Sequence, residues 1–496
     1  RNSLEPSSSS QSISSEPLRV KPTHTHSIRR QTKTLLSRLV LLKRQVHQDM
    51  IASDACGLRA RFLRLLTPSP RSRRQLFATT CSAEAKTEYK KQKVIVISGP
   101  TGSGKSRLAL ELAKRLGGEI VSADSVQVYQ GLDVGSAKPS PIARKEVPHH
   151  LIDILNPSQD YSVGQFYEDA RQATCDILNR GRVPVVAGGT GLYLRWYVYG
   201  KPDVPKASLE VASEVYSELA ELQQNGDWDA AVQLVVRAGD PRAGLLAAND
   251  WYRLRRSFEI IKATGSPPSA FDVPYDLFKE QCNSSIGNSS GSLNSATDAL
   301  GEIKSKDLDY DFLCFFLSSP RLELYRSIDC RCEDMLSDGD GILSEAKWLL
   351  DIGLLPNSNS ATRAIGYRQA MEYLMDCRAQ GGRSSPGEFF HFLSEFQKVS
   401  RNFAKRQLTW FRNEHIYHWI DASKPLDKVV NFICDAYHNE NGNLVVPESI
   451  SMRKDKSNRR EVLELKAYRT KNSHFVRRDD CSYILDWIQQ SQVEAM

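Results

Sequence analysis

Nowhere in its 496 residues does the chain hold a run of about 20 apolar side chains, so no membrane span is indicated; the longest apolar stretches, residues 94–97 and 312–317, are the size of strands. The ten cysteines include no C-x-x-C pair, and only Cys330-Arg331-Cys332 brings two close together, so neither a disulfide framework nor a zinc finger is indicated and a reducing compartment fits. Acid is missing from residues 55–83, and so is lysine. The charges there are Arg59, Arg61, Arg64, Arg71, Arg73 and Arg74, set among Leu, Ser and Thr and followed by Phe77-Ala78-Thr79-Thr80-Cys81-Ser82-Ala83. That is the composition of an organellar transit peptide. Cys81-Ser82-Ala83 leans toward a plastid, a mitochondrion being the alternative, and a basic tail that binds nucleic acid is the competing reading. Met50 stands just before this segment and is the expected start of translation.

Basic charge is also absent where the net figure suggests it. The formal charge is +7, but residues 1–93 carry 19 Lys and Arg against 6 Asp and Glu, a balance of +13. The remainder is therefore acidic, at −6, and a case for nucleic acid has to rest on local patches.

What is present begins with Gly99-Pro100-Thr101-Gly102-Ser103-Gly104-Lys105-Ser106, a complete G-x-x-x-x-G-K-[ST] phosphate loop between an apolar run and a helical pattern at residues 108–116. Gly99, Thr101, Gly102, Ser103 and Gly104 let backbone N–H groups turn toward anionic oxygens, Lys105 adds a point charge, and the hydroxyl of Ser106 can ligate Mg²⁺. Two more apolar runs, 119–122 and 183–187, end in polar clusters and alternate with helical patterns. The predicted fold is α/β, a P-loop NTPase-like parallel sheet flanked by helices, with a helical insertion domain. Ligands of such sheets sit at the carboxyl ends of the strands, where Asp124 and Thr190 fall beside the loop.

The predicted organisation runs from an N-terminal extension and transit peptide (1–92) into a first part of the catalytic core (93–203) and a helical insertion (204–281). A Ser/Asn/Gly-rich disordered loop (282–306), a second part of the core (307–438) and a charged, weakly patterned tail without legible chemistry (439–496) follow. One further absence bears on chemistry. A nucleoside triphosphatase or small-molecule kinase needs a carboxylate at a strand end to hold Mg²⁺, but residues 183–187 lead into Gly188-Gly189-Thr190. The strand-end acid near the loop is Asp124, which suits a general base, a metal ligand or a helix cap.

With Ser122-Ala123-Asp124-Ser125-Val126-Gln127-Val128-Tyr129, Gly135-Ser136-Ala137-Lys138-Pro139, Pro148-His149-His150-Leu151, Gly188-Gly189-Thr190-Gly191-Leu192-Tyr193, Gly366-Tyr367-Arg368-Gln369 and Ala404-Lys405-Arg406-Gln407-Leu408-Thr409-Trp410 added to the phosphate loop, seven motifs stand in an order that resembles the tRNA dimethylallyltransferases over residues 93–425. The resemblance implies transfer of a dimethylallyl group from dimethylallyl diphosphate to N6 of adenosine 37, beside the anticodon of tRNA, with Mg²⁺. It implies catalytic roles for Asp124, which takes the N6 proton, Thr190 and Lys105, and a diphosphate clamp that includes Arg331. It implies tRNA contacts at Asp124, Ser125, Val126 and Gln127, at Tyr252, Arg253, Arg255 and Arg256, at Gly366, Tyr367, Arg368 and Gln369, and at Arg401, Lys405, Arg406 and Gln407, in a monomer that meets no membrane. The matched part of the chain lacks the C-terminal Cys/His zinc finger of eukaryotic cytosolic members, so the resemblance is to the shorter, bacterial-type form. The related adenylate isopentenyltransferases, which prenylate free AMP, ADP or ATP to form cytokinin, are the alternative; they carry Gly-Gly-Ser and Gly-Val-Pro-Glu where this chain has Gly188-Gly189-Thr190 and Gly366-Tyr367-Arg368-Gln369.

Overall fold

The computed structural model describes residues 91–287, 308–337, 341–439, 444–454 and 459–493. The expected transit segment, Met50 and positions 288–306 of the Ser/Asn-rich segment lie outside the described residues. The expected strands form and are joined by two short ones: β1 (Lys93–Ser98), β2 (Glu119–Ser122), β3 (His149–His150), β4 (Pro184–Gly188), β5 (Asp311–Ser318) and β6 (His418–Asp421). All pair in parallel in the order β3-β2-β4-β1-β5-β6. The period of two along each strand splits the core between the two faces. Val94, Val96, Val121, Val186 and Phe316 pack on one side, and Ile95, Ile97, Ile120, Val185 and Phe315 on the other. Both faces are apolar because helices cover both.

β1 occupies the middle of the sheet, with the chain departing to β2 and β4 on one side and to β5 and β6 on the other. This reversal opens a crevice at the carboxyl ends of the strands, which is where the phosphate loop emerges. The predicted helical insertion is present as Leu209–Asn225, Trp228–Ala238 and Trp251–Thr264, closed around its own apolar cluster of Val215, Leu219, Val235, Leu254 and Phe258. Each of these helices is capped by the Ser or Asp before it, Ser208, Asp227 and Asp250, which accept a backbone N–H of the first turn.

Two expectations are corrected. The segment expected as a loop from residue 282 begins as the end of a helix, Pro274–Gly287. The segment expected as a charged tail is docked: Phe475, Cys481, Ile484 and Ile488 are buried in the main core, and helices form at Arg459–Ala467 and Ser482–Val493. Its apolar residues are too widely spaced to show a periodic face, so only the groove that receives them reveals their role. Among the described residues no helix is long and apolar enough to cross a membrane.

Candidate active site

A cavity of about 490 Å³ lies at the carboxyl edge of the sheet, and Lys105, Ser106, Asp124, Thr190, Arg331 and Arg406 all contribute to its wall. The helix Lys105–Leu116 starts on Gly104, whose left-handed backbone (φ 83°, ψ 13°) brings no capping side chain. The first N–H groups of that helix are therefore left for an anion. Ser103 Oγ is buried and has no hydrogen-bond partner among the described residues, a further polar atom that a phosphate oxygen would satisfy.

Lys105 folds back in this structure, its Nζ donating to the Pro100 carbonyl at 2.8 Å. Burial, with the Arg331 guanidinium beside it, pushes Lys105 down to about 7, and Asp124 pulls in the opposite direction. Arg331 donates to Thr101 Oγ1 at 3.0 Å, and burial lowers its pKa as well. Two cations thus face the loop without a paired carboxylate between them. That charge is unfavourable when the cavity holds only water and favourable when it holds a diphosphate.

Asp124 stands just past β2. Its Oδ1 accepts the N–H groups of Val126 (2.9 Å) and Gln127 (3.4 Å), a local turn that sets the carboxylate's direction. Among the described residues none donates to Oδ2. The capping reading and the catalytic reading thus use different oxygens. Thr190, part-buried, precedes the helix Gly191–Tyr199 without its side chain capping it, and it lines the cavity.

The structure reassigns several predicted contacts. Gln407 is buried and cross-braces the site: its Oε1 accepts the Thr101 N–H and its Nε2 donates to the Gly189 carbonyl, both at 2.9 Å. Gly189 is required by that brace, since a Cβ there would meet Gln407 Nε2 at 2.4 Å. Gln127 is buried as well, accepting from Ser122 Oγ and donating to the Ser136 and Ala137 carbonyls, so it shapes the wall without offering free polar atoms. Tyr367 is fully buried and donates to Glu345, whose carboxylate also accepts the N–H groups of Asp133, Val134 and Gly135. Gly366 and Gln369 are buried beside it, with Gln369 Oε1 accepting the Gly366 N–H. These three are packing and capping residues, and Arg368 is the partly exposed member of that motif. Arg401 is committed to Asp329 and Thr470. Trp410 lies under the Arg195 guanidinium, 4.1 Å from its ring centroid, rather than open to a base.

The surface candidates that do face outward are Tyr252, Arg253, Lys405 and Arg406, with Arg253 pairing with Asp250 at 3.4 Å; the half-buried Arg255 bonds Gln223 and Arg256 pairs with Glu259. Ser125 and Val126 line the cavity. Two features of the site were missed in the sequence. Arg363, exposed at the cavity, stands three residues before the Gly366-Tyr367-Arg368-Gln369 motif. An apolar wall of Ile328, Met335, Ile365, Phe396 and Phe403 comes from three separate segments, so no local pattern could announce it.

The chain matches the family model described as IPP transferase over residues 127–414 and that described as isopentenyl transferase over residues 92–148. It is 63% identical over 446 residues to tRNA dimethylallyltransferase 9 of Arabidopsis thaliana, which covers 89% of this chain and 96% of the relative. It is 37% identical over 341 residues to the tRNA dimethylallyltransferase of Protochlamydia amoebophila, covering 68% of this chain and 87% of that one. Among solved structures, a eukaryotic dimethylallyltransferase acting on tRNA shares the fold with a TM-score of 0.52, at 24% identity over 70% of this chain and 79% of the other.

Proposed function

The chain belongs to the tRNA dimethylallyltransferase family, and from that premise we propose that its cavity transfers a dimethylallyl group from dimethylallyl diphosphate to N6 of adenosine 37 in tRNA. The observation that carries this reading is the meeting, in one cavity, of an uncapped phosphate loop with two cations, an apolar wall and a carboxylate oxygen left free of protein donors.

The diphosphate lies on the loop N–H groups, with Lys105, Arg331 and Thr101 around it, and the five-carbon chain lies along the wall of Ile328, Met335 and Phe396. The adenosine has to leave the anticodon-loop stack to enter, and Tyr252, Arg253, Lys405 and Arg406 provide aromatic and basic surface for the RNA around it. The N6 amine attacks C1 of the dimethylallyl group. As the N6–C1 bond forms and the C1–O bond breaks, Asp124 Oδ2 accepts the N6 proton and the departing diphosphate keeps the bonding pair. Lys105, Arg331 and the loop N–H groups stabilise charge that grows on the leaving oxygen, and Thr190 hydrogen-bonds at the reacting centre.

Mg²⁺ fits the donors present: the exposed hydroxyl of Ser106 and the Asp124 carboxylate share the cavity, and a magnesium site made of one or two protein oxygens plus substrate oxygens needs no more. Bound there, the ion would neutralise part of the diphosphate charge. The arginine-rich segment at 55–83 is proposed as a plastid address, to be tested by where residues 50–90 carry a fluorescent protein.

The test is label transfer from dimethylallyl diphosphate with Mg²⁺, offered in parallel to unmodified tRNA and to AMP, ADP and ATP. Label in tRNA alone is expected. Label in free nucleotide would instead assign the chain to cytokinin synthesis, and label in neither would overturn the reading.

A further inference from the structure

Among the described residues, Cys330, Asp334 and His474 place one possible ligand atom each within 4.8 Å of the others, and none of the three lines the cavity. Cys330 and Asp334 are four apart on the helix Arg321–Ser337 and so share a face one turn apart. Cys330 Sγ is 4.0 Å from both Asp334 oxygens, and His474 Nε2 is 2.9 Å from Asp334 Oδ1.

The imidazole arrives from 140 residues downstream, and its backbone is held in place independently of its ring. Glu333, fully buried on the same helix, accepts the N–H groups of Ser473 (2.9 Å), His474 (2.7 Å) and Phe475 (3.1 Å). Phe475 is buried against Phe389, ring centroids 5.0 Å apart and edge-on. The segment on both sides of the ring is thereby docked, so the three donors are brought together before any ion binds.

We propose that Cys330, Asp334 and His474 form a site for a zinc-class divalent cation, with water completing the coordination, which staples the C-terminal segment to the helix that carries Arg331. Thiolate sulfur, imidazole nitrogen and one carboxylate oxygen are the donors such ions select, whereas Mg²⁺ and Ca²⁺ prefer all-oxygen sets. Tetrahedral bonds of about 2.0–2.3 Å put neighbouring donors roughly 3.3–3.8 Å apart, and the observed 2.9 and 4.0 Å bracket that range. Asp334 and His474 are exposed, which gives an ion its entry path.

Cobalt(II) chloride added to chelator-treated full-length protein tests this. One equivalent is expected to give thiolate-to-cobalt absorption that Zn²⁺ abolishes by displacement. Cys330→Ser and His474→Ala should each weaken binding at least tenfold, Cys434→Ser, at the other half-buried thiol among the described residues, should not, and all three should retain pyrophosphate binding as a check on folding. Zn²⁺ should also raise the melting temperature of the wild type but not of His474→Ala. Absence of the thiolate band at one equivalent, or a band that survives both Cys330→Ser and His474→Ala, overturns the proposal.

Discussion

Diphosphate binding should take up a proton, and Lys105 is where it goes. Burial and the Arg331 guanidinium hold Lys105 near 7 in the free protein, against an ordinary 10.5. An anion set on the loop favours the ammonium, so the pKa rises on binding and the affinity contributed by the charge is fully present below pH 7 and lost as the pH climbs above it. With a free-state value of about 7, affinity at this group falls by a factor of about 2 at pH 7, about 11 at pH 8 and about 100 at pH 9, levelling off only near 10.5. Calorimetry with inorganic pyrophosphate, in paired buffers of different ionisation enthalpy, should give an uptake of about 0.9 proton at pH 8. Pyrophosphate ionises too, so the comparison is with Lys105→Arg, whose side chain keeps its charge throughout. Wild-type affinity should fall relative to the variant by about 50-fold between pH 7 and pH 9. Parallel profiles for the two proteins would refute the reasoning.

Asp124→Asn keeps the Oδ1 acceptor for Val126 and Gln127 and so should keep pyrophosphate affinity, while single-turnover transfer drops by about 10² or more; unchanged transfer removes Asp124 as the base. Gln407→Leu leaves the Thr101 N–H and the Gly189 carbonyl without partners, so pyrophosphate binding should weaken and stability should fall by roughly 2 kcal/mol in a denaturant titration, with no change in either showing the brace to be idle. Replacing Arg253 and Lys405 together by alanine should lower tRNA affinity and reduce the salt dependence by about 0.7–0.9 per lost phosphate contact, while pyrophosphate binding holds; an unaltered salt slope would make these side chains bystanders.

The parts of this molecule legible in its sequence are those written locally. The phosphate loop needs eight consecutive residues, and its glycines and Lys105 stand where the loop's own geometry demands them. The four expected strands show as apolar runs because both faces of a parallel sheet are covered, and the insertion helices show as a stretch rich in Ala, Glu, Leu and Arg. β3 and β6 did not show: β3 has two residues, and β6 sets only Trp419 and Ile420 between His418 and Asp421, too little for an apolar run. Motif membership also misled where a residue's neighbours mattered more than its type. Tyr367, Gln369 and Gln407 look like polar contacts for RNA, yet each spends its hydrogen bonds inside the protein.

Sequence by itself determined a phosphate loop leading into a helix N-terminus on a parallel α/β sheet, with Asp124 and Thr190 at strand ends nearby, because backbone geometry and periodicity follow from adjacent residues. Only the tertiary structure decided that Arg331 reaches Thr101 across 230 positions, that Gln407 ties the loop to Gly189, and that the C-terminal segment clasps Glu333. Those contacts join segments far apart in the chain. Their energies depend on burial and mutual approach, which no local stretch of residues encodes.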